Sequence, residues 1–274
     1  MIVCADDFGL AEDINRAILE LCRLGQLSAV SCMAALPQCT AEVMQELLKY
    51  QASVDIGLHL YLADKHSPGL VSGDEVEISL AVPTYNAFLR RALSGKVQAE
   101  AIAEQISAQY ECFLEKIGRR PDFIDSHLYV HQLPGAREGL MRFALGLPAL
   151  CRPYFRNTQV GLRELRSRRL PWFKAFLIGR FGAAMFTRLS AASLPTNRGF
   201  AGIYDFRSWP QFPQYLPRFV DCLSDANALL VTHPGGNEKW RLHEFKTLRG
   251  FSFPKGPPTR FVRTVARAGA TSTL

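Results

Sequence analysis

Short apolar runs and stretches of helical spacing alternate along this chain, and this alternation restricts the fold more than any other feature. The apolar runs fall at 2–5, 29–35, 54–60, 123–126 and 228–232. Helical spacing falls at 11–24, 41–50, 98–117, 135–145 and 239–248. Parallel strands need crossover connections, which are usually helices, so this order predicts a parallel sheet covered by helices. The number of units favours a TIM-like (β/α) barrel, an α/β fold, over an open sheet.

Length and composition are consistent with a barrel-sized core. The chain has 274 residues, of which 48% are hydrophobic and 21% are charged. This composition excludes the disordered, collagen-like and coiled-coil classes. A single α/β barrel takes about 250 residues. Because no linker interrupts the pattern, we predict one domain over residues 1–274, with a long loop at about 62–97 and a helical insertion around 155–195.

The sequence has no segment typical of targeting or of a membrane span. It starts MIVCADD, without the basic start and longer apolar run of a secretory signal. The most apolar stretch, 170–194, is interrupted by Lys174, Arg180 and Arg188, so we do not expect it to span a membrane. Seven cysteines are scattered without a Cys-x-x-Cys pair, which is typical of reduced thiols. We therefore expect a cytoplasmic protein.

Positive charge is concentrated in the middle of the chain. Residues 1–141 contain 19 acidic and 11 basic side chains, whereas residues 142–190 contain one acidic and ten basic ones, beside a run rich in aromatic residues. Such a segment could contact nucleic acid, lie on an anionic membrane, form a lid or interface, or be the solvated face of a core helix. No nucleic-acid-binding motif accompanies it, so we expect no nucleic acid partner. Peripheral membrane contact through 163–190 and a homodimer stay open.

Four of the predicted strands, far apart in the sequence, end in ionisable residues. These residues are Asp6 and Asp7, His59, Asp125 with His127 and His131, and His233. In barrels the carboxyl ends of the strands form the rim where active sites lie. A carboxylate with two neutral imidazoles binds a divalent cation and leaves room for water and substrate. A second carboxylate can act as general base and a further histidine as general acid. The pattern therefore predicts a metal-dependent hydrolytic site.

Each of these residues also has a structural interpretation when it is considered alone. Asp6 and Asp7 could cap a helix and interact with its dipole. His59 could be a satisfied histidine of the core, and His131 or His233 could belong to a loop or turn. Their joint occurrence at strand ends favours the interpretation as one site.

The motifs at these positions resemble the YdjC-like carbohydrate deacetylases, a family that includes chitooligosaccharide deacetylases and a hopanoid-biosynthesis-associated branch. The motifs are ADDFG at 5–9, GLHL at 57–60, DSH at 125–127 with a histidine at 131, and HPG at 233–235. The segments 172–189 and 197–206 also resemble the hopanoid-associated branch. The resemblance covers nearly the whole chain, and it implies a TIM-like barrel with one divalent metal ion, Mg²⁺ or Zn²⁺.

The resemblance also implies a role for individual residues. Asp7, His59 and His127 match the metal ligands of the family. Asp6 matches the proposed general base, and His233 matches the proposed general acid, with His131 as the alternative donor of that proton.

Three further residues are expected to contact the substrate. Arg152, which follows the strand-like segment 149–151, resembles the substrate-contacting arginine of the family. Family members usually have His-x-His-x-His where this chain has His127, Tyr129 and His131. In a strand-like segment these three residues share one face, so we expect Tyr129 and His131 to face the site.

The function implied by the resemblance is removal of the N-acetyl group from an acetylated amino sugar, in an oligosaccharide or a glycolipid, with release of acetate. Two alternatives stay open. The same ligand set would serve a metal-dependent hydrolase of another amide or an ester. The tyrosine in place of a histidine would suit a sugar-binding protein with a degenerate site.

Overall fold

The computed structural model describes residues 1–64, 83–160 and 172–262, with the backbone alone at 172–175. Three predicted features fall partly or wholly outside these ranges. They are residues 65–82 of the loop at 62–97, residues 163–171 of the basic segment 163–190, and residues 161–171 of the insertion around 155–195.

Seven parallel strands form one curled sheet. The strands are β1 (Ile2–Phe8), β2 (Ala29–Cys32), β3 (Asp55–Leu60), β4 (Phe123–Ser126), β5 (Tyr154–Phe155), β6 (Phe200–Ala201) and β7 (Leu229–Thr232). Their spatial order is β5-β4-β3-β2-β1-β7-β6, and every ladder is parallel. Phe155 of β5 also forms a parallel bridge with Thr196, so the curl brings the segment ahead of β6 beside β5. The predicted TIM-like α/β class is confirmed as a curled half-barrel.

Eight α-helices surround this sheet in the described parts of the chain. They are α1 (Glu12–Arg23), α2 (Ala41–Leu48), α3 (Tyr85–Leu93), α4 (Ala99–Ile117), α5 (Ala136–Gly146), α6 (Trp172–Ala191), α7 (Phe212–Cys222) and α8 (Lys239–Arg249). Most follow a strand and bury one face against it, as α1 does with Ile14, Ile18 and Leu21. Helix α6 lies within the predicted insertion. No helix of the described ranges combines the length and apolar character that crossing a membrane requires.

The strands are buried on both faces, as parallel strands covered by helices are expected to be. Val3 and Ala5 of β1 belong to the large core between sheet and helices. Ile2 and Cys4, which alternate with them, belong to a smaller core inside the curl, together with Phe123 of β4. Polar side chains follow these apolar positions at the carboxyl ends of the strands, and this is where the cavity lies.

The chain segment 259–262 covers the opposite, amino-terminal end of the curl. The ring of Phe261 stacks on Tyr154 with centroids 4.2 Å apart. Its backbone N–H donates to Asp55 Oδ2 at 2.8 Å, and Arg260 Nε donates to Asp55 Oδ1 at 2.5 Å. This segment therefore closes the core beneath the cavity.

We expect Phe261→Ala to lower the free energy of unfolding by about 1–3 kcal/mol, because its ring is half-buried and fully buried phenylalanines cost about 3–5 kcal/mol. Urea unfolding followed by circular dichroism measures the loss. Val262→Ala is the control, since Val262 is 55% exposed. Equal stability of the two variants would contradict a closing role for the ring.

Candidate active site

The carboxyl ends of the strands open into a cavity of about 440 Å³. Six of the eight residues predicted from the sequence line it. They are Asp6, Asp7, His59, His127, Tyr129 and His233. These residues lie in β1 and β3 or just after β4 and β7, and they are up to about 230 positions apart in the sequence.

An irregularity in β1 lets both aspartates reach the cavity. Consecutive residues of a regular strand point to opposite faces. Here the register of β1 against β2 shifts between Ala5 and Phe8, and Asp7 has a φ of 69°. This left-handed conformation is uncommon for a residue other than glycine, although aspartate tolerates it better than most. The two adjacent carboxylates therefore converge on one space.

Among the described residues, two clusters of potential metal ligands share His59: Asp7, His59 and His127, which agrees with the predicted set, and Asp6, His59 and Asp125. Each residue of a cluster offers one ligand atom, and the atoms of a cluster all lie within 4.8 Å of one another. Asp7 Oδ1 is 2.9 Å from His127 Nδ1 and 3.4 Å from His59 Nε2. Atoms that share one ion at about 2.1 Å have such spacings. The oxygen and nitrogen donors fit Zn²⁺ well, and the carboxylate suits Mg²⁺.

Two polar side chains hold the ring of His59 in this orientation. Its Nδ1 lies 2.6 Å from Asp125 Oδ1 and 2.9 Å from Ser31 Oγ, which leaves Nε2 directed at Asp7. A carboxylate on the far nitrogen is the usual support of a metal-binding histidine. Burial lowers the pKa of His59, but the carboxylates of Asp125 and Asp6 outweigh it and raise this pKa to about 10. A divalent cation would compete with that proton.

The carboxylate of Asp7 stays charged although it is fully buried. Burial raises the pKa of Asp7, but the guanidinium of Arg241 and the ring of His127 together hold it well below its usual range. Arg241 donates from Nη2 to Oδ2 of Asp7, so that Oδ1 alone faces the two histidines. A charged oxygen directed at two imidazoles is what cation binding requires.

Asp6 is held by a buried arginine that the sequence analysis missed. Arg156 donates from Nη1 and Nη2 to the two oxygens of Asp6, at 2.7 Å each, and its Nη2 lies 2.6 Å from Asp125 Oδ2. Burial nevertheless raises the pKa of Asp6 above its usual range, against the attraction of Arg156. His233 Nε2 lies 4.0 Å from Asp6 Oδ2. A carboxylate and an imidazole therefore face each other beside the ligand cluster.

The prediction that 127–131 is strand-like was wrong, and this moves His131 away from the cavity. The segment His127–Gln132 is a 3₁₀ segment interrupted by a kink, at which Leu128 and Tyr129 adopt left-handed φ values of 58° and 57°. The ring of His131 is fully buried, with Nδ1 2.6 Å from Ser126 Oγ and Nε2 2.9 Å from the carbonyl of Arg156. Burial lowers its pKa to about 4. Tyr129 still lines the cavity, packed edge-to-face on Phe200.

Arg152 also does not line the cavity. The expected strand at 149–151 is a 3₁₀ turn, Ala149–Cys151, and the strand begins at Tyr154. Arg152 therefore lies ahead of the strand, where it donates to the carbonyls of Leu147 and Leu145 at 3.1 and 3.2 Å. Arg156 follows β5 directly, so the rule of polar residues after strand ends would have found it had the strand been assigned correctly.

The wall of the cavity beyond the polar cluster is largely apolar. Phe206 and Trp240 stack with ring centroids 3.9 Å apart, and the ring of His233 meets both edge-on. The aliphatic part of the wall comes from α3, α6 and the segment after β6. The cavity thus combines a charged floor with an aromatic and aliphatic wall.

Fold and site together define a class, an α/β protein whose curled parallel sheet carries a buried aspartate–histidine cluster at its carboxyl edge. The sequence model of the family described as YdjC-like protein matches residues 1–255. The chain therefore belongs to the YdjC-like family, and the resemblance of its motifs is confirmed.

Named relatives add to this assignment. The chain is 31% identical over 146 residues to a chitooligosaccharide deacetylase of Escherichia fergusonii, and 33% identical over 137 residues to one of Yersinia enterocolitica. Each match covers 49% of this chain, and the chain spans about half the length of these relatives, 51% in both cases.

A solved structure supports the fold. It belongs to an Enterococcus faecalis protein named for a proposed cleavage of cellobiose phosphate. The two chains superpose with a TM-score of 0.59 at 20% identity, over 91% of this chain and 90% of the other. The similarity extends across the curled sheet and its helices.

We expect Arg156→Met to lower the free energy of unfolding by about 3–5 kcal/mol, because it leaves two buried carboxylates without their cation. Urea unfolding at neutral pH measures this loss. The matched control is Arg152→Met, which removes two bonds to carbonyls at the surface and should cost about 1 kcal/mol. Similar losses in the two variants would show that the buried ion pairs are unimportant for stability.

Glu244 generates a pH dependence of stability. Burial raises its pKa from 4.5 to about 7, against the hydrogen bonds it accepts from His233 N–H and Tyr204. A folded-state pKa above the unfolded value means that the folded protein binds more protons between these limits. The contribution of Glu244 to stability is therefore complete below pH 4.5 and is lost as the pH rises towards 7.

Glu244→Gln removes this titration. We expect the free energy of unfolding of the wild type to fall relative to the variant between pH 4.5 and 7, by at most about 3 kcal/mol. Urea unfolding of both proteins at several pH values tests this, and a difference that does not change with pH would contradict it.

Proposed function

We propose that this protein is a metal-dependent deacetylase that hydrolyses the N-acetyl group of an acetylated amino sugar and releases acetate. The observation that carries the proposal is the cluster of Asp7, His59 and His127, whose ligand atoms lie within 4.8 Å of one another beside Asp6 and His233. The names of the relatives support a carbohydrate deacetylase. The substrate is an oligosaccharide or a glycolipid.

Asp7, His59 and His127 would hold the cation, Mg²⁺ or Zn²⁺. When bound, it supplies Lewis-acid polarisation of the acetamide carbonyl and acidifies water. Asp125 keeps the Nδ1 of His59 occupied, so Nε2 is the nitrogen presented to the ion. His59 is thus oriented by Asp125, and Asp7 by Arg241, rather than by the ion alone.

Asp6 acts as the general base in this proposal. Its carboxylate takes a proton from the attacking water, whose oxygen forms the new bond to the acetyl carbon. Both of its oxygens are fixed by Arg156 at 2.7 Å, so the base is held in place before the substrate binds. The raised pKa of Asp6 makes it a stronger proton acceptor than an exposed aspartate.

His233 acts as the general acid and donates a proton to the departing nitrogen as the carbon–nitrogen bond breaks. Its Nε2 lies 4.0 Å from Asp6 on the side of the aromatic wall. Tyr129 is a proposed substrate contact because it lines the same cavity. A cytoplasmic location, membrane contact through 163–190 and a homodimer stay predictions.

The test pairs metal analysis with acetate release from N-acetylglucosamine oligomers and from a glycolipid. We expect Asp7→Ala and His127→Ala to lose bound metal and activity. Asp6→Asn should keep the metal and lose turnover by about 10²–10⁴-fold, which is the usual contribution of a general base. Asp221→Asn, on the exposed face of α7, is the matched control.

Full acetate release by protein stripped of metal with a chelator would overturn the proposal. Wild-type turnover in Asp6→Asn would remove Asp6 as the base. Metal binding without acetate release from either substrate, but with hydrolysis of another amide or ester, would move the protein to a different metal-dependent hydrolase.

A further inference from the structure

Helix α8 places two side chains in the cavity wall and a third against the backbone of His233, and none of them was expected from the sequence. Trp240 forms part of the aromatic wall, and Arg241 lines the cavity beside it. Glu244 lies on the following turn and is fully buried. Residues four apart on a helix share a face, so Trp240 and Glu244 both lie on the face of α8 that contacts His233.

Arg241 contacts both Asp7, a proposed metal ligand, and the backbone of His233, the proposed general acid. Its Nη2 donates to Asp7 Oδ2, and its Nη1 donates to the carbonyl of His233 at 3.4 Å. The guanidinium carbon lies 4.6 Å from the centre of the Trp240 ring, and Nε is 3.6 Å from Glu238. The side chain is only 5% exposed. A planar guanidinium group with partners on several sides has little freedom to move.

Glu244 binds the backbone N–H of His233, while Arg241 binds its carbonyl. Oε2 of Glu244 accepts the backbone N–H of His233 at 2.6 Å, and Oε1 accepts the hydroxyl of Tyr204 at 2.7 Å. Both backbone polar groups of His233 are thus bound by side chains of α8. The turn that follows is tight, because a Cβ on Gly235 would lie 2.7 Å from that of Ala17.

We propose that Arg241 and Glu244 are positioning residues, through which α8 sets Asp7 as a one-oxygen metal ligand and holds His233 opposite Asp6. This inference rests on the proposed function. The two residues have different tasks. Arg241 prevents rotation of the Asp7 carboxylate and so acts on cation binding. Glu244 anchors the backbone of His233 and so acts on the proton-transfer step.

The separation of tasks gives opposite signatures in two variants. We expect Arg241→Met to bind Zn²⁺ about 10–100-fold more weakly in calorimetric titration. Removing a side chain that is hydrogen-bonded to a metal ligand usually weakens metal binding by this much. Glu244→Gln should keep the Zn²⁺ affinity within about twofold. Its kcat for acetate release should fall about 10–100-fold at unchanged KM, because the acid is displaced while the substrate still binds.

Conservative replacement and a matched control separate positioning from a general effect on folding. Arg241→Lys retains the charge beside Asp7, and its Zn²⁺ affinity should lie closer to the wild type than that of Arg241→Met. Arg249→Met is the control on the same helix, where Arg249 is 60% exposed and pairs with Glu20. Thermal unfolding of every variant shows which of them fold.

The outcomes distinguish this inference from the proposed function. If the wild type binds no Zn²⁺ or Mg²⁺ and releases no acetate, the proposed function fails. If the wild type does both and Arg241→Met binds Zn²⁺ as tightly as Arg249→Met, the inference fails for Arg241. Wild-type kcat in Glu244→Gln overturns it for Glu244. Should Arg241→Met not fold, Arg241→Lys decides: a loss of about tenfold in Zn²⁺ affinity supports the positioning role, and wild-type affinity overturns it for Arg241.

Discussion

The buried guanidinium of Arg156 is the interaction on which the rest of the site depends. It holds both oxygens of Asp6 and lies 2.6 Å from Asp125, which in turn fixes His59. Without a cation at this position, two carboxylates would share one buried space, and such pairs protonate rather than stay charged. A single side chain therefore lowers the pKa of both the candidate base and the carboxylate that supports a metal ligand, against the effect of burial in the interior of the curl. The backbone carbonyl of Arg156 also contacts the segment after β4, since it lies 2.9 Å from Nε2 of His131.

The second requirement is local and lies in the backbone. Neighbouring residues of a strand cannot both face one cavity, yet Asp6 and Asp7 do. The shifted register of β1 and the left-handed φ of Asp7 make this arrangement possible at a cost in local strain. Surrounding contacts offset that cost, since Asp7 is bonded to Arg241 and His127. Strain, charge and ligand geometry are therefore linked at this one residue.

Sequence patterns predicted the parallel α/β class because strands and helices differ in period, and because polar residues after apolar runs gather at one edge of a parallel sheet. Six of the eight predicted residues line the cavity for that reason. Errors arose where the direction of a side chain depends on one or two backbone angles. Two left-handed residues after His127 turned His131 into the core. The two-residue strand β5 is too short to be recognised from its sequence, so the strand-end pattern does not reveal Arg156.

The sequence by itself determined the class of fold, the edge of the sheet where chemistry gathers, and the family. It could do so because periodicity and strand-end chemistry are local properties. Only the tertiary structure decided the partners of each ionisable group, since these partners lie far away along the chain. Arg156 is 150 residues from Asp6, and Arg241 is 234 residues from Asp7. A buried charge is stable only beside its counter-charge, and which counter-charge arrives there depends on how the whole sheet curls.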